Sequence, residues 1–235
     1  MRVAIMQPGY LPWLGFFELM QNCDLFVVLD DVQYTKRDWR SRNRIRTKEG
    51  WMWLTVPVLV KNKSGQHIRD TKVNNDCPWK EKHLKSLKGN YSKACYFNDC
   101  IEELESIYRK DWVFLLDLDM EIILFLAHHF AIKTNITLAS SLDIHGLGGN
   151  AHILEICRKL GANELYDSAG AKPFIDLNLF ENANIKVVFQ EYRHPVYMQM
   201  HQPFLPHMSA IDLLFNAGAN GRALIIKGGE GACLP

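Results

Sequence analysis

The sequence predicts an α/β fold: a mostly parallel sheet flanked by helices, with a helical layer in the middle third. Three observations carry this. The chain opens strand, helix, strand within about thirty residues, the size of a βαβ unit. Its middle shows helical spacing alone, and its last third returns to alternating strand and helix signals. At 235 residues it can bury a sizeable core, and it reads as a single α/β domain over 1–235 with a helical insertion at about 77–132.

The opening, RVAIMQPGYLPWLGFFELM, starts with an apolar run, Val3 to Met6, that ends at Gln7. Pro8, Gly9, Pro12 and Gly15 then punctuate a corner into an amphipathic helix from Trp13 to Gln21. In open α/β sheets such a turn lies at the carboxyl edge, where ligands bind. Gln7, Tyr10 and Trp13 bring hydrogen-bonding and stacking groups there, and the helix start offers backbone N–H groups to an anion. A rigid structural turn is the alternative. Neither the dinucleotide fingerprint nor the P-loop signature is present.

Leu25 to Leu29, bounded by Asp24 and by Asp30 and Asp31, has the pattern of an interior parallel strand. Its carboxylates fall on the same sheet edge as Gln7, where they could orient sugar hydroxyls, hold a divalent cation, act as a base, or simply cap the next turn. Gln33 and Tyr34 follow closely. Arg40, Arg42, Arg44, Arg46 and Lys48 recur at every second position, so an extended chain puts them on one face. That face is either an anion site, with Arg42, Asn43 and Arg44 its best candidates, or a charged edge that guards against pairing. Trp51 to Val60 reads as a strand with Pro57 marking an edge or bulge, 61–65 as a polar loop, and Ile68 to Val73 as a further strand.

Helices are predicted from Pro78 to about Leu87, from Phe97 to Lys110, and from Trp112 to Ile132. The last is apolar enough to be mistaken for a membrane span. Asp117, Asp119 and Glu121 near its centre would each cost about 2.5–3.5 kcal/mol in lipid, so it reads as a buried helix. Ile136 to Leu138 is a strand; Gly148-Gly149-Asn150 precedes a helix, Ile153 to Leu160, capped by Gly161. Glu164 to Tyr166 and Lys186 to Gln190 are strands, and Ser209 caps a short helix, Ile211 to Asn216, stopped by Gly218. Residues 228–235 read as a frayed tail.

A formal charge of +1 gives no general case for nucleic acid or an anionic membrane as partner. The six cysteines lack metal or redox spacings and read as buried free thiols. The start has too short an apolar run for a signal peptide, so a cytoplasmic, reduced protein is expected. The histidines show no metal-binding spacing, and no metal site is assigned. His194-Pro195-Val196-Tyr197-Met198-Gln199 offers His194 and Tyr197 for proton transfer and Gln199 for binding; a bend at Pro195 would bring them together, and a structural histidine is an equal reading. Ser168 to Lys172 is a small-residue loop at a strand end, where backbone can approach a phosphate.

Gln-Pro-x-Tyr-x-Pro-Trp-x-Gly at residues 7–15, DLFVVLDDVQYTKRDWRSRNRI behind it, ICRKLGANELYDSAGAKPFID, and the later His-Pro-x-Tyr-x-Gln resemble the WbqC-like family over nearly the whole chain. The family is associated with bacterial surface polysaccharide (O-antigen) gene clusters, and members have been named as glycine transferases acting on an amino sugar. The resemblance implies a transferase or ligase forming an amide, such as a glycyl amide, on an amino sugar nucleotide, with ATP or a divalent cation as conceivable cofactors. The anionic partner is then a nucleotide sugar. A non-catalytic nucleotide-sugar or glycan binder is the alternative.

Overall fold

A computed structural model describes residues 1–61 and 65–226. The predicted tail at 228–235, and residues 62–64 of the predicted polar loop, lie outside the described residues.

β1 (Arg2–Met6), α1 (Leu14–Gln21) and β2 (Leu25–Val28) form the expected opening unit, with β1 and β2 parallel and Val3 opposite Leu25. An antiparallel ribbon follows, β3 (Arg42–Thr47) and β4 (Gly50–Thr55). The helical layer is α2 (Trp79–Tyr91), α3 (Phe97–Arg109) and α4 (Leu115–His129). Then come β5 (Asn135–Leu138), α5 (Gly149–Lys159), β6 (Glu164–Asp167), α6 (Leu177–Glu181) and β7 (Lys186–Phe189). The helices α7 (Ala210–Ala217) and α8 (Gly221–Ile226) follow.

Five strands make one parallel sheet in the order β5-β2-β1-β6-β7. From β1 the chain builds outward through β2 and β5, then crosses back to add β6 and β7 on the other side. Strand order therefore reverses between β1 and β6. Both sheet faces are covered, which is why the strands read as continuous apolar runs. Val3, Ile5, Val27 and Leu165 pack under Leu154, Ile156 and Cys157 of α5. Ala4, Phe26, Val28 and Tyr166 face α1 and share one continuous core with the helical layer. Spacing in α3 shows the cause: Ile101, Leu104, Ile107 and Tyr108 are all buried on one stripe. Among the described residues no helix is long and apolar enough to cross a membrane.

Three local expectations change. Ile68 to Val73 is not a strand: Ile68–Asp70 forms a 3-10 turn, because Asp70 N–H and Thr71 N–H close on His67 and Ile68. β4 stops at Thr55, short of Pro57, which has no N–H to give a ladder. Cys77 and Cys95 are exposed and Cys23 is half-buried, while Cys100 and Cys157 are buried as expected; Cys233 lies outside the described residues.

Gly218 ends α7 with φ +57° and ψ −143°, and a Cβ there would lie 2.5 Å from Cδ1 of Tyr96. Gly218→Ala is expected to cost on the order of 1–3 kcal/mol, read from urea unfolding. An unchanged midpoint would mean that this turn relaxes freely.

Candidate functional site

The reversal of strand order opens a cleft of about 740 Å³ at the carboxyl ends of β1 and β6. Met6, Gln7, Pro8 and Gly9 line it from β1; Ser168, Gly170 and Phe174 line it from β6. Asp38, Trp39 and Arg40, with Asn43 and Arg44 of β3, form a third wall, and Pro12, Trp13, Phe16 and His207 complete it. The volume suits a small molecule, and this is where open α/β sheets bind their ligands. A smaller hollow between α2 and α3, about 580 Å³, is lined by Glu105 and by Lys88 and Arg109, each of which is already ion-paired to it.

The corner is built by its small residues. A Cβ on Gly9 would come within 3.0 Å of the Trp39 carbonyl oxygen, which accepts the Tyr10 N–H at 3.1 Å. A Cβ on Gly15 would sit 2.1 Å from the Trp13 indole, so the ring lies across this glycine because no side chain is there. Leu11 adopts φ +48°, uncommon for a residue with a side chain, and its carbonyl accepts Asn43 Nδ2–H at 2.7 Å. Ala210 N–H donates to Pro12 O and Ser209 N–H to Arg44 O, at 2.8 and 2.9 Å. The corner is thereby clamped between β3 and α7. It is a preformed wall.

Two guanidinium groups face the cleft. Arg44 Nη2 donates to the His207 carbonyl at 3.1 Å, and the group lies 5.6 Å from the centre of the Trp39 ring. Arg40 lies 3.6 Å from Asp38. Burial raises Asp38, but the Thr35 hydroxyl, the Trp39 N–H and the charges of Arg40 and Arg42 outweigh it and leave the carboxyl below its ordinary value. Asp119 of α4 is fully buried, and among the described residues neither of its oxygens has a hydrogen-bond partner; burial pushes its carboxyl well up, and the Arg40 charge opposes this. The side-chain hydrogen bonds of Arg42 and Arg44 go to the carbonyls of Arg37 and His207, so among the described residues neither has a carboxylate partner. An anionic ligand group would supply one.

Of the residues singled out in the sequence, Gln7, Trp13, Asn43 and Arg44 line this cleft. Gln7 Oε1 is buried without a partner among the described residues, and Trp13 meets Tyr192 edge-on at 5.5 Å. Arg42 lies on the ribbon beside the cleft, 4.3 Å over the Trp53 ring. The one-faced cation row is interrupted by Arg46, which is buried and donates to the carbonyls of Thr47, Gly50, His201 and Pro203.

Several others lie outside the cleft lining. Tyr10 is fully buried, its hydroxyl bonded to Tyr108 and lying 2.8 Å from His83 Nδ1, and burial raises its pKa well. Asp30 is fully buried and accepts the N–H and hydroxyl of Ser140 at 2.9 and 2.6 Å, fixing the turn after β5. Tyr34 bonds Ser41 Oγ at 2.9 Å, and Gln33 is exposed, bridging to His67. Tyr197 and Gln199 both donate to Asp212, at 2.6 and 2.9 Å. His194 adjoins the cleft through His207, with ring centres 5.3 Å apart. Burial lowers its pKa to about 4, so the ring is neutral at pH 7, with Nδ1–H donating to Pro195 O and Nε2 buried without a partner among the described residues.

Asp31 lies under α5, where its Oδ1 is 3.1 Å from Nε2 of His152; both side chains are nearly buried, and His152 Nδ1 has no partner among the described residues. His152 carries no sequence signal, because a lone histidine on a helix looks the same whether or not a carboxylate faces it. Asp167, at the end of β6 beside the cleft-lining Ser168, is also newly visible: burial pushes its carboxyl up to about 6. Trp39 and His207 enter from connecting segments. Only the interleaving of Trp39 with arginines could have marked the first, and nothing local marks the second. Among the described residues no group of three or more His, Cys, Asp or Glu side chains is arranged to hold a metal ion.

The comparisons with known proteins agree with the motifs. The chain is 37% identical over 221 residues to the uncharacterized protein Rv1507c of Mycobacterium tuberculosis, covering 93% of this chain and 94% of that one. No solved structure matches it. The model of the WbqC-like protein family matches residues 7–223, a span from Gln7 in the opening corner to the start of α8, and the chain belongs to that family.

Proposed function

We propose that the cleft between β1 and β6 binds a nucleotide sugar and that the protein is a transferase or ligase forming an amide, such as a glycyl amide, on its amino sugar in surface polysaccharide (O-antigen) biosynthesis. The observation that carries the binding half is the preformed switch-point cleft with Arg40 and Arg44 in its wall and indoles beside them. The reaction half rests on family association. In it the sugar amine attacks the acyl carbon, a C–N bond forms, the acyl leaving group departs, and one amine proton passes to a base. Asp38 and His207 in the cleft wall, and Asp167, Asp31 with His152, and His194 around it, are groups that could take that proton.

A second reading, a nucleotide-sugar binder without chemistry, is favoured by one observation: Asp31, His152, Asp167 and His194 do not line the cleft, and the one carboxylate that does, Asp38, is engaged by the Thr35 hydroxyl, the Trp39 N–H and Arg40. The two readings separate in one assay. An amino sugar nucleotide, glycine or a glycyl donor, and ATP are incubated with the protein and the product is weighed by mass spectrometry. A glycyl adduct that falls at least tenfold in folded Arg44→Ala supports the enzyme. Binding without product supports the second reading, and an adduct formed equally by Arg44→Ala removes this cleft from the reaction.

A further inference from the structure

Resting on the reading of the cleft as a nucleotide-sugar site, we propose that the outward face of the β3–β4 ribbon is a stacking platform on which Trp51 carries the nucleobase of the ligand, with the diphosphate at Arg44 and the sugar in the cleft. The register sets this face. Arg44 pairs with Trp53 and Arg46 with Trp51, so Arg42, Arg44, Trp51 and Trp53 project to one side while Asn43, Ile45, Met52 and Leu54 project to the other. Ile45 and Leu54 are core residues. Trp51 and Trp39 are 46% and 43% exposed, large for indoles, and their ring centres lie 5.5 and 5.3 Å from that of Trp53.

Guanidinium groups are threaded through these rings. Arg42 lies 4.3 Å over Trp53, and Arg44 lies 5.2 Å from Trp51 and 5.6 Å from Trp39. Cation–π contact of this kind holds the indoles in place and keeps cations beside them. One end of the face is closed by the carbonyls of His201 and Pro203, which Arg46 binds. The other end runs into the cleft, because Trp39 and Arg44 belong to both. A ligand that follows this surface meets an indole face, then an arginine without a carboxylate partner, then a mostly apolar cavity. A flat base, a diphosphate and a sugar have that order. A longer polyanion is disfavoured by the closed end and by a chain charge of only +1.

The test is calorimetric titration of the full chain with uridine, guanosine, adenosine, cytidine and thymidine diphosphates and with inorganic pyrophosphate, for the unmodified protein, Trp51→Ala and Arg44→Ala. At least one nucleoside diphosphate is expected to bind more tightly than pyrophosphate. Trp51→Ala should weaken it about ten- to hundredfold and leave pyrophosphate unchanged, whereas Arg44→Ala should weaken both. Should Trp51→Ala misfold, Trp51→Phe is expected to keep most of the affinity and Trp51→Leu to lose it. Nucleoside diphosphate affinity that is indifferent to Trp51 overturns the platform and leaves the cleft reading standing. Failure of the whole panel to bind overturns both.

Discussion

Asp212→Ala is expected to destabilise the protein by about 3–5 kcal/mol, since a removed hub leaves several buried donors unpartnered at roughly 1–3 kcal/mol each. Asp212 Oδ1 accepts the Tyr91 hydroxyl at 2.7 Å, and Oδ2 accepts the Tyr197 hydroxyl at 2.6 Å and the Gln199 amide at 2.9 Å. Tyr91 oxygen in turn accepts the backbone N–H of Arg46 at 2.8 Å. One carboxylate therefore ties together α7, α2, the ribbon and the 197–199 segment. Asp212→Asn, which keeps an acceptor oxygen, should lose less. Urea unfolding measures both, and a loss below about 1 kcal/mol for the alanine variant would show that the hub is not what joins these elements.

Asp167→Asn is expected to stabilise the protein in a pH-dependent manner. Burial raises the folded carboxyl from 3.8 to about 6, while a Ser168 N–H bond at 2.7 Å pulls the other way. With the folded value above the unfolded one, the associated stability is fully present below pH 3.8 and is lost as pH rises through about 6. The ionised carboxylate then costs on the order of 3 kcal/mol, at 1.36 kcal/mol per pH unit of difference. Asparagine keeps an oxygen for Ser168 N–H and carries no charge. Its unfolding free energy should match that of the unmodified protein near pH 3.5 and exceed it by about that amount at pH 8. Parallel profiles across that range would show the carboxyl to be hydrated and unshifted.

The sheet was legible because its strands are buried on both faces: runs such as Leu25 to Val28 leave little else to be. The helical layer was legible from the spacing of residues such as Ile101, Leu104 and Tyr108. Ile68 to Val73 was not, since short apolar segments do not distinguish a strand from a 3-10 turn. Of the residues that the sequence singles out, those that line the cleft are fixed by their chain neighbours, Gln7 and Trp13 at the corner and Asn43 and Arg44 on the ribbon. Partners that lie far away along the chain are not legible in this way. Tyr197 and Gln199 look like site residues in the His-Pro-x-Tyr-x-Gln motif, and only the folded chain shows that both serve Asp212. Tyr10 is set by Tyr108 and His83 in the same way. His152 required Asp31, distant in sequence, to be seen at all.

The central claim is that an anionic small molecule occupies the cleft where strand order reverses between β1 and β6. Thermal unfolding of the protein with and without nucleotide sugars tests it most directly. A ligand present at about one hundred times its dissociation constant should add about 2.7 kcal/mol to stability, and the gain should largely vanish in folded Arg44→Ala. No stabilisation by any nucleotide or nucleotide sugar, or a gain that Arg44→Ala leaves intact, would contradict the account.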